Sequence, residues 1–243
     1  MAKHVHQVCA AAFQICYLRV GDLWGAVSVF KFFSEKAHAK AFMAGRLLLR
    51  SLSHFRALEA EKGGRGDGQD GVLTYATEGG LPLTFSDGRT QTFNGRFIAV
   101  PRHNIFVLCG SNQLSPHLAE RFGGFCVEVD PNVVAARLRQ RANATAQFDY
   151  EQIVSSNVDY RANDRPPGAD WALPERLALT KPESFAWQDE YRIAVPTRGA
   201  FTVEAVDLLL HSGDEPPPIP KAAVPAIILK VGNLASHAVL HEL

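Results

Sequence analysis

The sequence predicts an α+β fold: a single domain of short mixed or antiparallel strands with about four short helices. Two observations lead to this class. Short runs rich in aromatic and β-branched residues are bounded by glycine, proline, serine or asparagine, which is typical of short strands. Helix-start signals stand between several of these runs, as at Ser34 and at Asp130-Pro131. With 243 residues, 47% of them hydrophobic, the chain can bury one sizeable core.

The strands are predicted from their apolar content and from the turn residues between them. Residues 104–109 form a continuous apolar run, which indicates a buried strand. Ser86-Asp87-Gly88 is a turn signal between two shorter strands. The predicted strands span residues 28–33, 46–51, 72–76, 81–84, 92–100, 104–109, 125–129, 147–153, 188–195, 202–206 and 226–231.

The helices are predicted from residues that can cap a first turn or end a last one. Ser34 can cap a helix that Gly45 ends, and Pro116 and Pro131 suit first helical positions. Five glycines within residues 63–71 predict a loop, since glycine adopts positive φ without strain. The predicted helices span residues 35–43, 55–62, 116–123 and 131–141, with a helical turn at 174–178.

Residues 1–27 are predicted to be an N-terminal extension that packs as a short helix, and residues 28–243 a single domain. The apolar run after Lys3 resembles a signal peptide, but Gln14 interrupts it and no small-residue cleavage site follows. No run approaches the length of a membrane span. The four cysteines are scattered and no His/Cys cluster suggests zinc, so we expect a reducing cytoplasm.

The charges balance, because Lys plus Arg and Asp plus Glu each total 25. A balanced chain is not a broadly basic nucleic-acid binder, although a local basic patch stays open. A net charge of zero also favours self-association, so a homo-oligomer is an open expectation.

Gln188 and Glu190 are the first candidate site. In a strand over residues 188–195 they share one face with Arg192. A carboxylate in a cleft can hold a ribose hydroxyl and stabilise an oxocarbenium-like centre, and a neighbouring amide can orient a second reactant. A polar strand face turned to solvent is the alternative, since Gln-x-Glu is short enough to arise by chance.

A second candidate site follows the strand at residues 46–51. Arg50, Ser51 and Ser53 lie at its end, and Arg65-Gly66-Asp67 follows in the glycine-rich loop. Arginine binds phosphate oxygens through two parallel hydrogen bonds, and a glycine-rich loop can offer backbone N–H groups to a ligand. Helix capping by either serine is the alternative.

Lys31 is a third candidate, because it stands among aromatic and aliphatic residues in a predicted strand. Its charge faces either a polar cleft or the solvent side of an edge strand. Cys109 ends the apolar run at 104–109 and is interpreted as a buried small hydrophobe.

The order of these pieces resembles a large bacterial family found among prophage and defence genes. Its members share an early Tyr-Lys-aromatic strand, a Gly-Phe-Cys strand and a late Glu-x-Arg strand. Here the corresponding segments are Phe30-Lys31-Phe32, Gly124-Phe125-Cys126 and Glu190-Tyr191-Arg192. The resemblance spans roughly residues 28–195.

The layout is also similar to the ADP-ribosyltransferase toxin fold, which implies a split two-sheet core with NAD bound in the cleft between the sheets. In that fold a late Gln/Glu-x-Glu strand carries catalysis, and Gln188-Asp189-Glu190 matches it. The first-strand Arg or His that holds NAD corresponds to Lys31, a departure that leaves Arg50 as its alternative. Cys109-Gly110-Ser111 is a poor match to the Ser-Thr-Ser of the second strand.

This resemblance implies an NAD-dependent toxin or phage-defence effector that modifies an unknown protein or nucleic acid. Glu190 would stabilise the ribosyl cation and Gln188 would orient the acceptor. The expected NAD contacts are Lys31, Phe32, Arg50, Ser53, Phe55, Arg65, Asp67 and Tyr191.

Two alternatives come from other classes of protein. A non-catalytic module could hold a nucleotide or a nucleic-acid end with arginines such as Arg46, Arg56 and Arg137. A structural prophage protein would need no ligand at all. A metal-dependent nuclease is disfavoured, because Glu128 and Asp130 form no recognisable ligand set and Asp130 is explained as a helix cap.

Overall fold

The computed structural model describes residues 28–59, 69–76, 78–166, 173–212 and 226–243. The predicted extension at residues 1–27, together with Arg65 and Asp67, lies outside these ranges. The α+β class is confirmed, since helices and mostly antiparallel strands are mixed along the chain. Within the described residues, no helix has the length and apolar character needed to cross a bilayer.

The strands are short and fall mostly where the turn signals bound them. They are β1 Val29–Phe33, β2 Arg46–Ser51, β3 Leu73–Tyr75, β4 Leu81–Thr84, β5 Thr90–Phe93, β6 Arg96–Pro101, β7 Ile105–Ser111, β8 Phe125–Val129, β9 Val154–Asn157, β10 Asp159–Arg161, β11 Thr180–Pro182, β12 Glu190–Pro196, β13 Val206–His211, β14 Ala226–Lys230 and β15 Ala238–Glu242.

The four predicted helices and the predicted turn are present. They are α1 Lys36–Met43, α2 Leu52–Glu59, α3 Pro116–Phe122, α4 Pro131–Asn143 and α5 Pro174–Ala178. However, α1 begins after Glu35 without a side-chain cap from Ser34, and α2 begins at Leu52 instead of Phe55. Short 3₁₀ helices span Glu183–Gln188, Val203–Ala205 and Ala235–His237.

The main sheet has eight strands and forks at β7. Its order is β14-β2-β7-β1-β8-β15, with β12 and then β9 on the other edge of β7. Since β12 occupies one edge of β7 along its whole length, β2 and β1 share the opposite edge. There β2 pairs Arg50 with Val107, whereas β1 pairs Phe30 with Ser111. The two strands therefore diverge and leave a gap beside β7.

One face of this sheet carries the core. In β2 the burial alternates, with Leu47 and Leu49 fully buried, Arg46 and Leu48 exposed and Arg50 half-buried, as a half-buried strand requires. α4 covers this face with Val134 and Leu138. The Asp130 side chain accepts from the Asn132 N–H at 2.8 Å and caps α4, as predicted.

Smaller sheets flank the main one. β13, β6 and β3 form a three-stranded antiparallel sheet, β4 and β5 form a hairpin, and β10 and β11 pair in parallel. The segment predicted as one strand over residues 92–100 is two strands, because the chain turns at Asn94-Gly95 between β5 and β6.

Two other strand predictions are wrong, and three strands were not predicted. The strand predicted at 147–153 begins only at Val154, and Phe148 makes a single isolated bridge to Thr197. The segment predicted at 202–206 is a 3₁₀ turn that precedes β13. The strands that were not predicted are β10, β11 and β15. β10 and β11 have only three residues each, and β15 has only three apolar residues before His241, yet it pairs with β8 along its whole length.

The largest correction concerns the strand predicted at 188–195, which begins at Glu190. The residues before it form a 3₁₀ helix, and Asp189 adopts φ 41°, a left-handed conformation that aspartate tolerates. Amides of Asn112 and Gln113 donate to the Asp189 carboxylate at 2.9 and 2.7 Å. Gln188 and Glu190 therefore do not share a strand face.

Candidate functional site

A cavity of about 610 Å³ occupies the fork of the main sheet. Its size lies in the range of small-molecule sites in proteins. Strands β1, β2, β7 and β12 all contribute walls, and the 3₁₀ helix at Glu183–Gln188 closes one side. Charged residues of the wall are Lys31, Arg46, Arg50, Asp70, Lys181, Glu190 and Arg192.

Lys31 lies in the gap between the diverging strands. Its Nζ donates to the carbonyl oxygen of Cys109 at 2.7 Å, and Cys109 lies between the points where β2 and β1 pair with β7. No carboxylate among the described residues pairs with this ammonium group. Burial, aided by the charge of Arg50, lowers the pKa of Lys31, although Cys109 and Glu190 oppose that shift.

Arg50 reaches the cavity from β2. Its guanidinium contacts Nε2 of His54, one turn into α2, at 2.5 Å. Because a guanidinium can only donate, His54 must present an unprotonated Nε2 to it. Like Lys31, Arg50 has no carboxylate partner within the described ranges, so two cations stand on the two branches of the fork.

Glu190 belongs to a buried network of four charged residues. Its Oε1 accepts from Nε of Arg192 at 2.8 Å, and its Oε2 accepts from Nζ of Lys181 at 3.1 Å. Arg192 also makes two hydrogen bonds to the Asp70 carboxylate, at 2.7 and 2.9 Å. All four residues are less than 9% exposed. Two acids and two bases balance, which is the condition for burying charge.

This network controls the ionisation of Glu190. Burial alone would raise the pKa of its carboxyl, but the charges of Arg192 and Lys181 outweigh burial and hold that pKa well below its usual range. The N–H of Glu190 also donates to the Tyr160 hydroxyl at 2.8 Å, which fixes the start of β12. Glu190 is therefore a rigid carboxylate that stays ionised.

Gln188 lines the same cavity, but it comes from the 3₁₀ helix before β12 and not from the strand itself. Nζ of Lys181 donates to Oε1 of Gln188 at 2.7 Å and so joins this amide to Glu190. The ammonium of Lys181 also lies 4.8 Å from the centre of the Phe185 ring. The predicted pair thus meets in the cavity, brought together by a lysine instead of a shared strand face.

An aromatic cluster stands beside the cavity where the 3₁₀ helix meets α3. The Trp187 ring stacks on Phe122, with centroids 6.1 Å apart and planes 7° from parallel. The guanidinium of Arg121 lies 4.7 Å from the Trp187 ring, and His117 contacts its edge. Phe122 also lines the cavity, so these contacts tie the segment before Glu190 to α3.

Most of the predicted site residues come together. The cavity wall includes Lys31, Phe32, Arg50, Phe55, Gln188 and Glu190. Two predicted contacts do not reach it. Ser53 bonds to Ser51, whose hydroxyl accepts from the His54 N–H and caps α2, so the capping alternative holds there. Tyr191 points to the opposite face of β12 and packs against the main core.

Sequence reasoning missed Lys181 and Asp70. Lys181 stands in a Lys-Pro pair that signals only a chain bend, and Asp70 lies at the end of a glycine-rich stretch where acids are ordinary. Arg192 was placed on the face of Glu190 but was given no role. The alternation Glu190-x-Arg192 was the one usable signal.

Metal ligands are not grouped in the described part of the chain, where no three His, Cys, Asp or Glu side chains could hold an ion together. Burial raises the pKa of the Cys109 thiol, and Glu190 raises it further, so this thiol in the cavity wall stays protonated.

No protein-family model matches the sequence, and searches of curated proteins and of solved structures found no match. The chemistry of the cavity walls is therefore the basis on which a function can be proposed.

Proposed function

We propose that the chain binds NAD in the forked cavity and transfers its ADP-ribosyl group to a macromolecular acceptor. One observation carries the proposal: cations on both branches of the fork, without carboxylate partners among the described residues, share a cavity with an ionised glutamate. Lys31 and Arg50 are these cations, and Glu190 is the glutamate. Glu190 matches the catalytic glutamate that the ADP-ribosyltransferase resemblance implies, and Lys31, or Arg50 in its place, stands for the first-strand residue that holds NAD.

The cations suit the pyrophosphate of NAD. A partly buried ammonium without an anion is costly, and a phosphate oxygen in the cavity would offset that cost. The planar guanidinium of Arg50 can bind two phosphate oxygens at once. Among the charged groups of the wall, Asp70 and Glu190 already neutralise Arg192 and Lys181, so the remaining charge favours an anion.

The apolar part of the wall suits the two rings of NAD. Phenylalanines from β1, α2, α3 and the 3₁₀ helix surround the cavity, and aromatic faces bind planar bases. They are Phe30, Phe32, Phe33, Phe55, Phe122 and Phe185.

The reaction balances as a displacement at the anomeric carbon. The bond between C1′ of the ribose and the nicotinamide nitrogen breaks, and its electron pair leaves with nicotinamide. A nucleophilic atom of the acceptor forms the new bond to C1′ and releases one proton to solvent. Glu190 would stabilise the positive charge that develops on the ribose, and Gln188 would orient the acceptor.

A second candidate function is a non-catalytic nucleotide-binding module. One observation favours it: both oxygens of Glu190 already accept hydrogen bonds, from Arg192 and from Lys181. Those cations offset the negative charge that would stabilise a ribosyl cation. A network of this kind can serve to hold the cavity open rather than to react.

Nicotinamide release and thermal stability in NAD separate the two functions. The transferase predicts that NAD stabilises the wild type and Glu190→Gln, and that only the wild type releases nicotinamide. Glu204→Gln, an exposed change outside the cavity, is the matched control and should behave as wild type. Stabilisation without release from any variant favours the binding module. If NAD, ADP and ATP all fail to stabilise the protein, both proposed functions are wrong.

We also propose that the protein acts in the bacterial cytoplasm, as a toxin or a phage-defence effector. Cys109 and Cys126 are free thiols, as a reducing compartment allows. Expression in bacteria tests the effector role, because the transferase predicts growth arrest with the wild type and normal growth with Glu190→Gln.

A further inference from the structure

The face of the sheet that lines the cavity continues outward over β2 and β14. Leu48 and Ile228 are register partners on this face, and they are 43% and 56% exposed. Both also line the cavity. An exposed apolar pair beside a cavity has the composition of the apolar centre of a small protein–protein contact.

Cations border this pair. Arg46 and Lys230 lie directly opposite each other in the same register, and both are exposed. Like charges directly opposite on neighbouring strands are destabilising. No ion pair to either residue occurs among the described residues, so an anionic group placed between them would relieve this repulsion. Arg50 adds a third cation beside Ala226 at the other end of the face.

We propose that this face docks an acidic protein segment that carries an apolar side chain between two acids. As the docking site of the acceptor it rests on the proposed transferase function, whereas as a binding surface it does not. The face is defined as Arg46, Leu48, Arg50, Ala226, Ile228 and Lys230.

The spacing of the face matches an extended peptide. Successive rows of the face are two residues apart along the strands, or about 6.8 Å at about 3.4 Å per residue. Side chains two apart in an extended peptide repeat at the same distance. An acid over Arg46 and Lys230 would thus place an apolar residue over Leu48 and Ile228 and a second acid near Arg50.

Nucleic acid fits the face less well. Single strands bind without sequence preference through aromatic side chains on which the bases stack. None of the six residues of the face is aromatic, so the face lacks the rings on which successive bases stack. An apolar centre with a charged rim is the ordinary composition of a protein–protein contact.

Fluorescence anisotropy in the absence of NAD tests this surface with three labelled probes. They are the peptide Gly-Glu-Ser-Leu-Ser-Glu-Gly, the same peptide with lysines for the glutamates, and a ten-nucleotide oligothymidine. We expect only the acidic peptide to bind, with an affinity that falls as salt is added. Arg46→Glu and Ile228→Asn should each weaken it at least about tenfold, a change of about 1.4 kcal/mol.

Matched controls come from outside the face. Arg198→Glu makes the same charge change at an exposed arginine, and Leu208→Asn removes a leucine that is 55% exposed on β13. Both should bind the acidic peptide as the wild type does. Any of three results would refute the proposed docking surface. They are tighter binding of the oligonucleotide, no binding of the acidic peptide, and an equal loss of peptide affinity in the variants and the controls. Absence of nicotinamide release alone would remove the transferase but leave the surface standing.

Discussion

Arg192 forms two parallel hydrogen bonds with Asp70, at 2.7 and 2.9 Å, although 122 positions separate them in the chain. Both residues are 1% exposed. Asp70 lies near the end of the glycine-rich segment 63–71, and Arg192 lies on β12 beside Glu190. This pair therefore fixes the end of that segment against the strand that carries the candidate catalytic glutamate.

Asp70→Asn should destabilise the fold strongly. Asparagine has the shape of aspartate but no charge, so Arg192 keeps only Glu190 as a negatively charged partner. Breaking a buried ion pair costs about 3–5 kcal/mol. Urea unfolding measures the loss. Asp87→Asn removes the exposed ion pair with Arg89 and should cost less than about 1 kcal/mol. Equal losses in the two variants would mean that the Asp70–Arg192 pair contributes no more than a surface contact.

Lys31→Met should weaken nucleotide binding without weakening the fold. The substitution removes a desolvated cation that contacts the Cys109 carbonyl and, at 5.9 Å, the Phe33 ring, but has no carboxylate partner among the described residues. The free energy of unfolding should therefore stay equal or rise. Loss of a charged hydrogen bond to phosphate costs about 1.5–3 kcal/mol, which raises the Kd for NAD more than about tenfold. Calorimetric titration and urea unfolding measure the two effects. If the variant is less stable but its Kd for NAD is unchanged, Lys31 stabilises the fold and does not bind the nucleotide.

Glu190 should make the stability of the wild type depend on acid. Its folded-state pKa lies below its value of about 4.3 in unfolded chains, so its stabilising contribution is complete above that pH. The contribution is lost as the pH falls toward the folded-state pKa. Wild type should thus exceed Glu190→Gln in stability at pH 7, and the difference should shrink by pH 3. Urea midpoints of both proteins at the two pH values test this, and a constant difference would refute it.

Gly45→Ala should destabilise the junction of α1 and β2 through contact with the backbone. Gly45 has φ 80°, and a Cβ there would lie 1.8 Å from the Gly232 carbonyl oxygen. Gly88 has nearly the same φ, 82°, with nothing within 4 Å of its added Cβ. Gly88→Ala therefore costs only the left-handed strain of about 1–2 kcal/mol, and Gly45→Ala should cost clearly more. Similar urea midpoints for the two variants would show that the residues around Gly232 move aside without a loss of stability.

The sequence allowed the α+β class, the helices and much of the cavity wall to be predicted. Capping residues and apolar runs are local signals, and they located α4 and β7 well. Lys31, Arg50 and Glu190 stood out because each is a charge at a strand end or within an apolar strand.

The partners of those charges could not be predicted. The bond from Arg192 to Asp70 depends on how the whole chain folds back, and nothing local in either segment signals it. The onset of β12 was misplaced by two residues because the Asp189 turn is held by Asn112 and Gln113, which lie far away in the chain. Ser53 does not line the cavity but bonds to Ser51, the serine that caps α2, and a serine beside a helix cap looks the same in sequence as a ligand-binding one.

The fork at β7 has a consequence for how this protein can diverge. Within the described residues, the edge of β7 between the pairings at Val107 and Ser111 has no strand beside it, and the Cys109 carbonyl there bonds to a lysine side chain. The polar group that this part of the edge presents is a main-chain carbonyl, which every amino acid has. Substitutions of the side chains around the gap can therefore alter which molecules the cavity admits while this acceptor is kept.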